Sequence, residues 1–144
     1  MTRPAFDLRR VLDPQSVAIV GASESAAKFG GRAMRFLVKH GYAGRIVPIN
    51  PGAATILGIR AYPSVRSAPG PIDVALLAAP LTQIRAAVDE CGAAGVGCCV
   101  IITADFAEAG DEGVKRQDEL VAIARGHGMR LIGPNCLGFV NPVR

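Results

Sequence analysis

Between an apolar run and a helical pattern lies Gly21-Ala-Ser-Glu-Ser-Ala-Ala-Lys-Phe-Gly-Gly31, a segment rich in the residue types that hold phosphate. Gly21, directly after the run, permits a tight turn and close approach of main chain to an anion. Ser23 and Ser25 add hydroxyl donors and Lys28 a point charge. The helix that follows would turn its unpaired N–H groups and positive dipole end toward the same place. A phosphorylated ligand is the guest this chemistry implies. The spacing is not the dinucleotide fingerprint G-x-G-x-x-G, because Ser23 stands where the second glycine belongs. It is not a P-loop either, since no Gly-Lys-Ser/Thr follows. An NAD site usually carries Asp or Glu at the end of the second strand, where this chain has Asn50-Pro51-Gly52. That absence counts against NAD without removing it.

These residues need elements to position them. Ser16–Val20 reads as a buried strand ending at Gly21. Gly30–His40 places Ala33, Met34, Leu37 and Val38 on one helical face, with Gly41 as its stop. Arg45–Asn50 is a second strand closed by Pro51, and Ile59–Val65 a short extra one. Ile72–Ala79 is nearly continuous in apolar character, as expected of a strand covered on both faces. A helix over Leu81–Ala94 follows, with Thr82 placed to cap it, then a strand over Val96–Thr103. The pattern closes with a helix over Gly113–His127 and a short strand over Arg130–Gly133. Alternating strands and helices imply parallel pairing through right-handed crossovers. The expected fold is a Rossmann-like, doubly wound α/β sheet of three layers in a single domain. Ligands of such sheets bind outside the carboxyl ends of the strands, which makes candidates of the loops Gly21–Gly31, Asn50–Ala53, Ala79–Leu81, Thr103–Gly110 and Gly133–Gly138.

The bulk numbers fit one globular domain of 144 residues, half of them apolar and 19% charged. The net charge of +4 is thinly spread; its densest patch is Arg3, Arg9 and Arg10. With no Trp and no basic helix, nucleic-acid binding is not expected. No apolar run is long enough for a membrane span, and Met1–Arg10 has no signal-peptide core, so a cytoplasmic protein is expected. Cys91, Cys98, Cys99 and Cys136 form no C-x-x-C pair and the His spacing suits no zinc finger, so metal is not expected. His40 and His127 fall in last turns of helices, a structural place, and no catalytic residue is assigned.

From Leu12 to Pro142 the chain resembles the CoA-binding domain of NDP-forming acyl-CoA synthetases and of the succinyl-CoA synthetase α-subunit. The resemblance is carried in order by Ser16-Val-Ala-Ile-Val-Gly-Ala-Ser23, Ile49-Asn-Pro51, Tyr62-Pro-Ser-Val65, Ile72-Asp-Val-Ala75, Ala79-Pro80, Gly95-Val-Gly97, Phe106-Ala-Glu-Ala-Gly110 and Gly133-Pro-Asn-Cys-Leu-Gly138. The last is the most specific piece. The resemblance implies coenzyme A as ligand. Its phosphates would meet the first loop, through Gly21, Ala22, Ser23, Lys28, Phe29 and Gly30. Asn50 and Pro51, with Tyr62 nearby, would lie at the adenosine end. Ala79, Pro80 and Thr103 would border the pantetheine arm, leading its thiol toward Asn135 and Cys136.

It also implies that residues 1–144 are the N-terminal part of a larger synthetase. Phosphohistidine and nucleotide chemistry would then reside in further domains or in a β-subunit with an ATP-grasp fold. Apolar surface left uncovered could pair two copies as a homodimer. Two positions depart from the family pattern. Relatives often carry lysine just after Asn-Pro, where this chain has Gly52, and many have glycine where Asp105 stands. A naturally standalone CoA-binding protein, the CoA-sensing module of a protein acyltransferase, and an NAD(P)-binding oxidoreductase domain remain as alternatives.

Overall fold

The computed structural model describes residues 6–142. Five parallel strands form one sheet in the order β2-β1-β5-β6-β7: β1 is Ser16–Val20, β2 Arg45–Ile49, β5 Val74–Leu77, β6 Cys98–Ile101 and β7 Arg130–Ile132. The remaining two, β3 (Thr55–Ile56) and β4 (Ile59–Arg60), form a small antiparallel hairpin. The longer helices are α2 (Phe29–Lys39), α3 (Leu81–Ala93) and α4 (Asp111–His127), and α1 is the short Arg9–Leu12.

Alternate side chains of each strand go to opposite faces, and the burial divides accordingly. Ala18, Ala75, Leu77, Cys99 and Ile101 pack with Ile84, Val88, Leu120 and Ala124 of α3 and α4. On the other face Ile19 packs with Met34 of α2 and Ile56 of the hairpin. Farther along that face, Val74, Cys98 and Val100 are covered by Val11 of α1 and by Phe6. The expected doubly wound, three-layer α/β fold is therefore the one observed.

The differences lie at element ends. The strand expected over Ile72–Ala79 is hydrogen-bonded only over Val74–Leu77, and the one over Val96–Thr103 only over Cys98–Ile101. Helix α4 begins at Asp111 rather than Gly113, with Asp111 and Glu112 favourably placed in its first turn. Thr82 does not cap α3; the N-cap is Pro80, and no side chain caps that end. Val38 faces outward, 47% exposed. Of the basic patch, Arg3 lies outside the described residues. Arg10 is committed to structure: its Nε donates to Asp73 Oδ1 at 2.9 Å, and Nη2 to the carbonyl of Ile72 at 3.1 Å. The salt bridge fastens α1 to the amino edge of the sheet. His40 stacks on Phe36, and His127 Nε2 lies 2.9 Å from Asp89 Oδ1, tying the end of α4 to α3.

The chain runs outward from β1 to β2, then returns to the other side of β1 as β5. This reversal opens a crevice above the carboxyl ends of β1 and β5. The parallel register puts Val20 beside Ile49 on one side and Leu77 on the other, so all three strands end at one level beneath it.

Candidate functional site

At this crevice the main chain comes unusually close to itself, because glycines stand where it crosses. Gly21 has φ +84°, and a Cβ there would sit 2.3 Å from the carbonyl oxygen of Ala78. A Cβ on Gly30 would lie 2.0 Å from the Gly21 oxygen, and one on Gly31 1.9 Å from the Ser25 oxygen. The first turn of α2 can therefore rest directly against the β1 loop. Lys28 is its N-cap, in extended conformation, and no side chain caps this end of α2. Such an end favours an anion.

The loop is braced from below. The N–H groups of Gly21 and Ala22 both donate to the Ile49 carbonyl, at 3.2 and 3.3 Å. Those two amides belong to the scaffold, which leaves anion binding to residues farther along. Asn50 is a second brace: its Nδ2 donates to the Ala22 carbonyl at 2.9 Å, and its Oδ1 accepts from Gly52 N at 2.7 Å. Ser23 Oγ accepts from Ser25 N at 3.1 Å and retains its own hydroxyl proton to donate. Tyr62 lies beneath, its carbonyl accepting from Asn50 N and its ring under the Arg60 guanidinium at 5.3 Å.

Above this scaffold is a cleft of about 680 Å³, within the usual range of small-molecule sites. Gly21, Ala22, Ser23, Lys28, Asn50, Pro51, Ala79 and Pro80 line it. Phe29 and Gly30 do not: Gly30 is buried under the loop, and the Phe29 ring lies on the outer side of α2 with Arg32 4.5 Å over it. Tyr62, Thr103, Asn135 and Cys136 also stand outside the lining. The last three continue the same sheet edge as a ladder. Thr103 Oγ1 donates to the Ala79 carbonyl at 2.7 Å, Asn135 N to the Thr103 carbonyl at 3.0 Å, and Cys136 N to the Ile101 carbonyl at 3.3 Å. The Cys136 thiol is half-buried and accepts from Gly138 N at 3.3 Å. Asp105 is exposed and takes no part in the cleft; its φ of +71° is the conformation glycine adopts freely, and Arg116 holds its carbonyl.

Sequence reasoning missed the far wall of the cleft, formed by Pro63, Ser64 and Val65 on one side and by Gln83, Ala86, Ala87 and Glu90 of α3 on the other. The signal for it is weak. The positions 83, 86/87 and 90 recur at helical spacing, but nothing in the spacing separates a face toward a ligand from a face toward solvent. Of the other cysteines, Cys98 is buried in the sheet, which pushes its thiol up to about 11. Cys99 is likewise raised, through its contact with Cys91 and its burial. Both thiols are buried. Among the described residues no group of three or more His, Cys, Asp or Glu could hold a metal ion, and no helix is long and apolar enough to cross a membrane.

A doubly wound sheet with a glycine-lined cleft at its switch point is the architecture of an α/β nucleotide-type binding domain. The sequence narrows the class: the CoA-binding domain family matches residues 15–142, and the chain belongs to that family. It is 40% identical over 129 residues to the α-subunit of an ADP-forming acetate–CoA ligase II of Pyrococcus furiosus, an alignment covering 90% of this chain and 28% of that subunit. It is 42% identical over 134 residues to a trans-feruloyl-CoA synthase of an unknown prokaryotic organism, covering 93% of this chain and 19% of the relative. The solved acetyl-coenzyme A synthetase 1 of Ca. Korarchaeum cryptofilum, in complex with phosphate and ADP, superposes with a TM-score of 0.89 at 39% identity, covering 93% of this chain and 28% of that one. The chain thus spans under a third of the length of each of these relatives.

Proposed function

We propose that this chain is the CoA-holding part of an NDP-forming acyl-CoA synthetase. Residues 1–144 would serve as its N-terminal domain, and the phosphohistidine and nucleotide steps would belong to further domains or to an ATP-grasp β-subunit, in the cytoplasm. The observation that carries the reading is the cleft over the switch point, where Gly21, Ala22, Ser23 and Lys28, the N-cap of α2, face Asn50, Pro51, Ala79 and Pro80.

In this role the α2 amides and Lys28 hold the diphosphate, and the Ser23 hydroxyl donates to it. Asn50 acts through the loop it braces rather than by touching the ligand. Ala79, Pro80 and the Thr103–Asn135 ladder offer a path along the sheet edge for the pantetheine arm, toward Cys136. Bound there, CoA supplies the thiol that accepts an acyl group; this chain's part is to hold and aim it, and the chain alone is not expected to turn over. The relatives named, a subunit of an acetate–CoA ligase and a trans-feruloyl-CoA synthase, match this chain about equally well, so choice of acid is assigned to parts beyond it.

Calorimetric titration with CoA, desulfo-CoA and NAD tests the proposal. Saturable binding of the first two, weakened by Lys28→Ala and absent for NAD, is the expected result. Binding of NAD without CoA would overturn it in favour of an oxidoreductase domain.

A further inference from the structure

Behind the α3 wall of the cleft, three sulfur-bearing side chains meet in the core and take no part in the function proposed above. Helix α3 turns Gln83, Ala86, Ala87 and Glu90 to the cleft, and Ile84, Val88 and Cys91 to the sheet. There the Cys99 thiol of β6 is hydrogen-bonded to Cys91, and its Sγ lies 3.5 Å from Met129 Sδ. Cys91 and Cys99 are 0% exposed and Met129 2%, so water does not compete for these sulfurs. Cys98, next in sequence, belongs to the opposite face of the sheet, with Val11 and Val74.

Two thiols and a thioether are soft donors, a set that selects Cu(I) among biological cations. Three donors fall short of the four that a structural zinc site takes. With metal–sulfur bonds of about 2.3 Å, a three-coordinate ion sets its sulfurs about 4.0 Å apart. The Cys99–Met129 spacing therefore has to widen by only about half an ångström. The ion takes the place of thiol hydrogens, so no preformed cavity is required. Cys91 lies in the last turn of α3, and Met129 directly follows Gly128, the C-cap of α4. Two of the donors thus sit at element ends, where local opening costs least and gives an entry path.

We propose that Cys91, Cys99 and Met129 form a binding site for a soft monovalent cation of the Cu(I) class. On binding, each thiol gives its proton to solvent as its sulfur bonds the metal, and the Met129 thioether adds a neutral third donor. The assignment goes beyond the CoA reading and does not depend on it. It places a second site on the core side of α3, one residue from Glu90 of the cleft wall.

The test transfers Cu(I) from its bicinchoninate complex to the reduced chain without oxygen, and follows the loss of the complex's colour. One equivalent per chain is the expected uptake, with thermal unfolding still cooperative afterwards. The Cys98→Ala/Cys136→Ala double variant should retain that uptake in full. Cys91→Ala and Cys99→Ala should each lower affinity about a hundredfold or more, and the volume-conserving Met129→Leu about tenfold. Uptake that follows Cys98 and Cys136 instead would overturn the site, as would no uptake by the folded chain. Capture of metal with loss of the native unfolding transition would overturn it too, since the ligands would then be those of the unfolded chain.

Discussion

Over β1 and β2 the carboxyl edge of the sheet is walled: loop, helix start and strand end touch through glycines, and α3 and the Pro63–Val65 turn close the sides. Over β6 and β7 the same edge is open. Its loops are held to one another by main-chain and Thr103 hydrogen bonds, but beyond Cys136 the chain exposes Leu137 (86%), Phe139 (40%) and Val140 (88%). Both halves come from the same architectural rule, yet they differ in what they can do alone. In the walled half, Lys28 stands with Ser23 and Asn50 around one cleft. In the open half a ligand arm would lie against one surface with solvent on the other. On the proposed CoA reading, affinity should reside in the walled half, with the open half serving as a guide for the thiol arm.

The largest test of that contrast is Gly30→Ala. Its Cβ would meet the Gly21 carbonyl at 2.0 Å, a main-chain contact that cannot swing aside. A loss of about 3 kcal/mol or more in urea unfolding is expected, together with loss of CoA binding. Gly126→Ala is the control: a Cβ in that helical position meets nothing within 4 Å, so stability should rise, by up to about 1 kcal/mol.

Next in size is Lys28→Ala, which should lower CoA affinity about tenfold at low salt, with the deficit shrinking as salt increases and no change in Tm. Lys28 is exposed and caps α2 through its main chain alone, so folding should not feel the change. A similar loss from Cys136→Ala would break the comparison, because it would give the open half equal weight. The expectation there is a change of less than about threefold in CoA affinity.

The smallest effect belongs to the opposite edge. Burial pushes the Asp73 carboxyl up, but hydrogen bonds from Arg10 and Gln15 outweigh it and hold the group below its ordinary 3.8. The fold therefore gains from Asp73 above that value and loses the gain as pH falls below it. Asp73→Asn should flatten this acid limb in pH-dependent thermal unfolding while leaving CoA affinity at neutral pH unchanged.

Much of the fold was legible because its signals are local. The run Ser16–Val20 gave β1 with the right ends, since both faces are buried and Gly21 must turn. The α1 helix was not legible: four residues carry no periodicity, and Val11 is buried only because Val74, Cys98 and Val100 lie beneath it. In place of one strand over Ile59–Val65 stands a hairpin arm, Ile59–Arg60, followed by a single bridge from Tyr62 to Ile49, because pairing there depends on what lies alongside.

At the site, residue types announced a phosphate cradle, and family likeness supplied the ligand. What the types could not tell is which of those groups are spent on the scaffold. The amides of Gly21 and Ala22 and the side chain of Asn50 look like binding groups in the sequence and are braces in the structure. Conversely Gln83, Ala86 and Glu90 look like an ordinary helix surface and line the cleft. The sequence by itself determined the order of strands and helices and the glycines that let main chain meet main chain, because backbone conformation and burial are properties of short segments. The tertiary structure alone decided which hydrogen-bonding groups are left to the cleft and which are spent on the protein, because a donor's role depends on which acceptor, distant in the chain, arrives beside it.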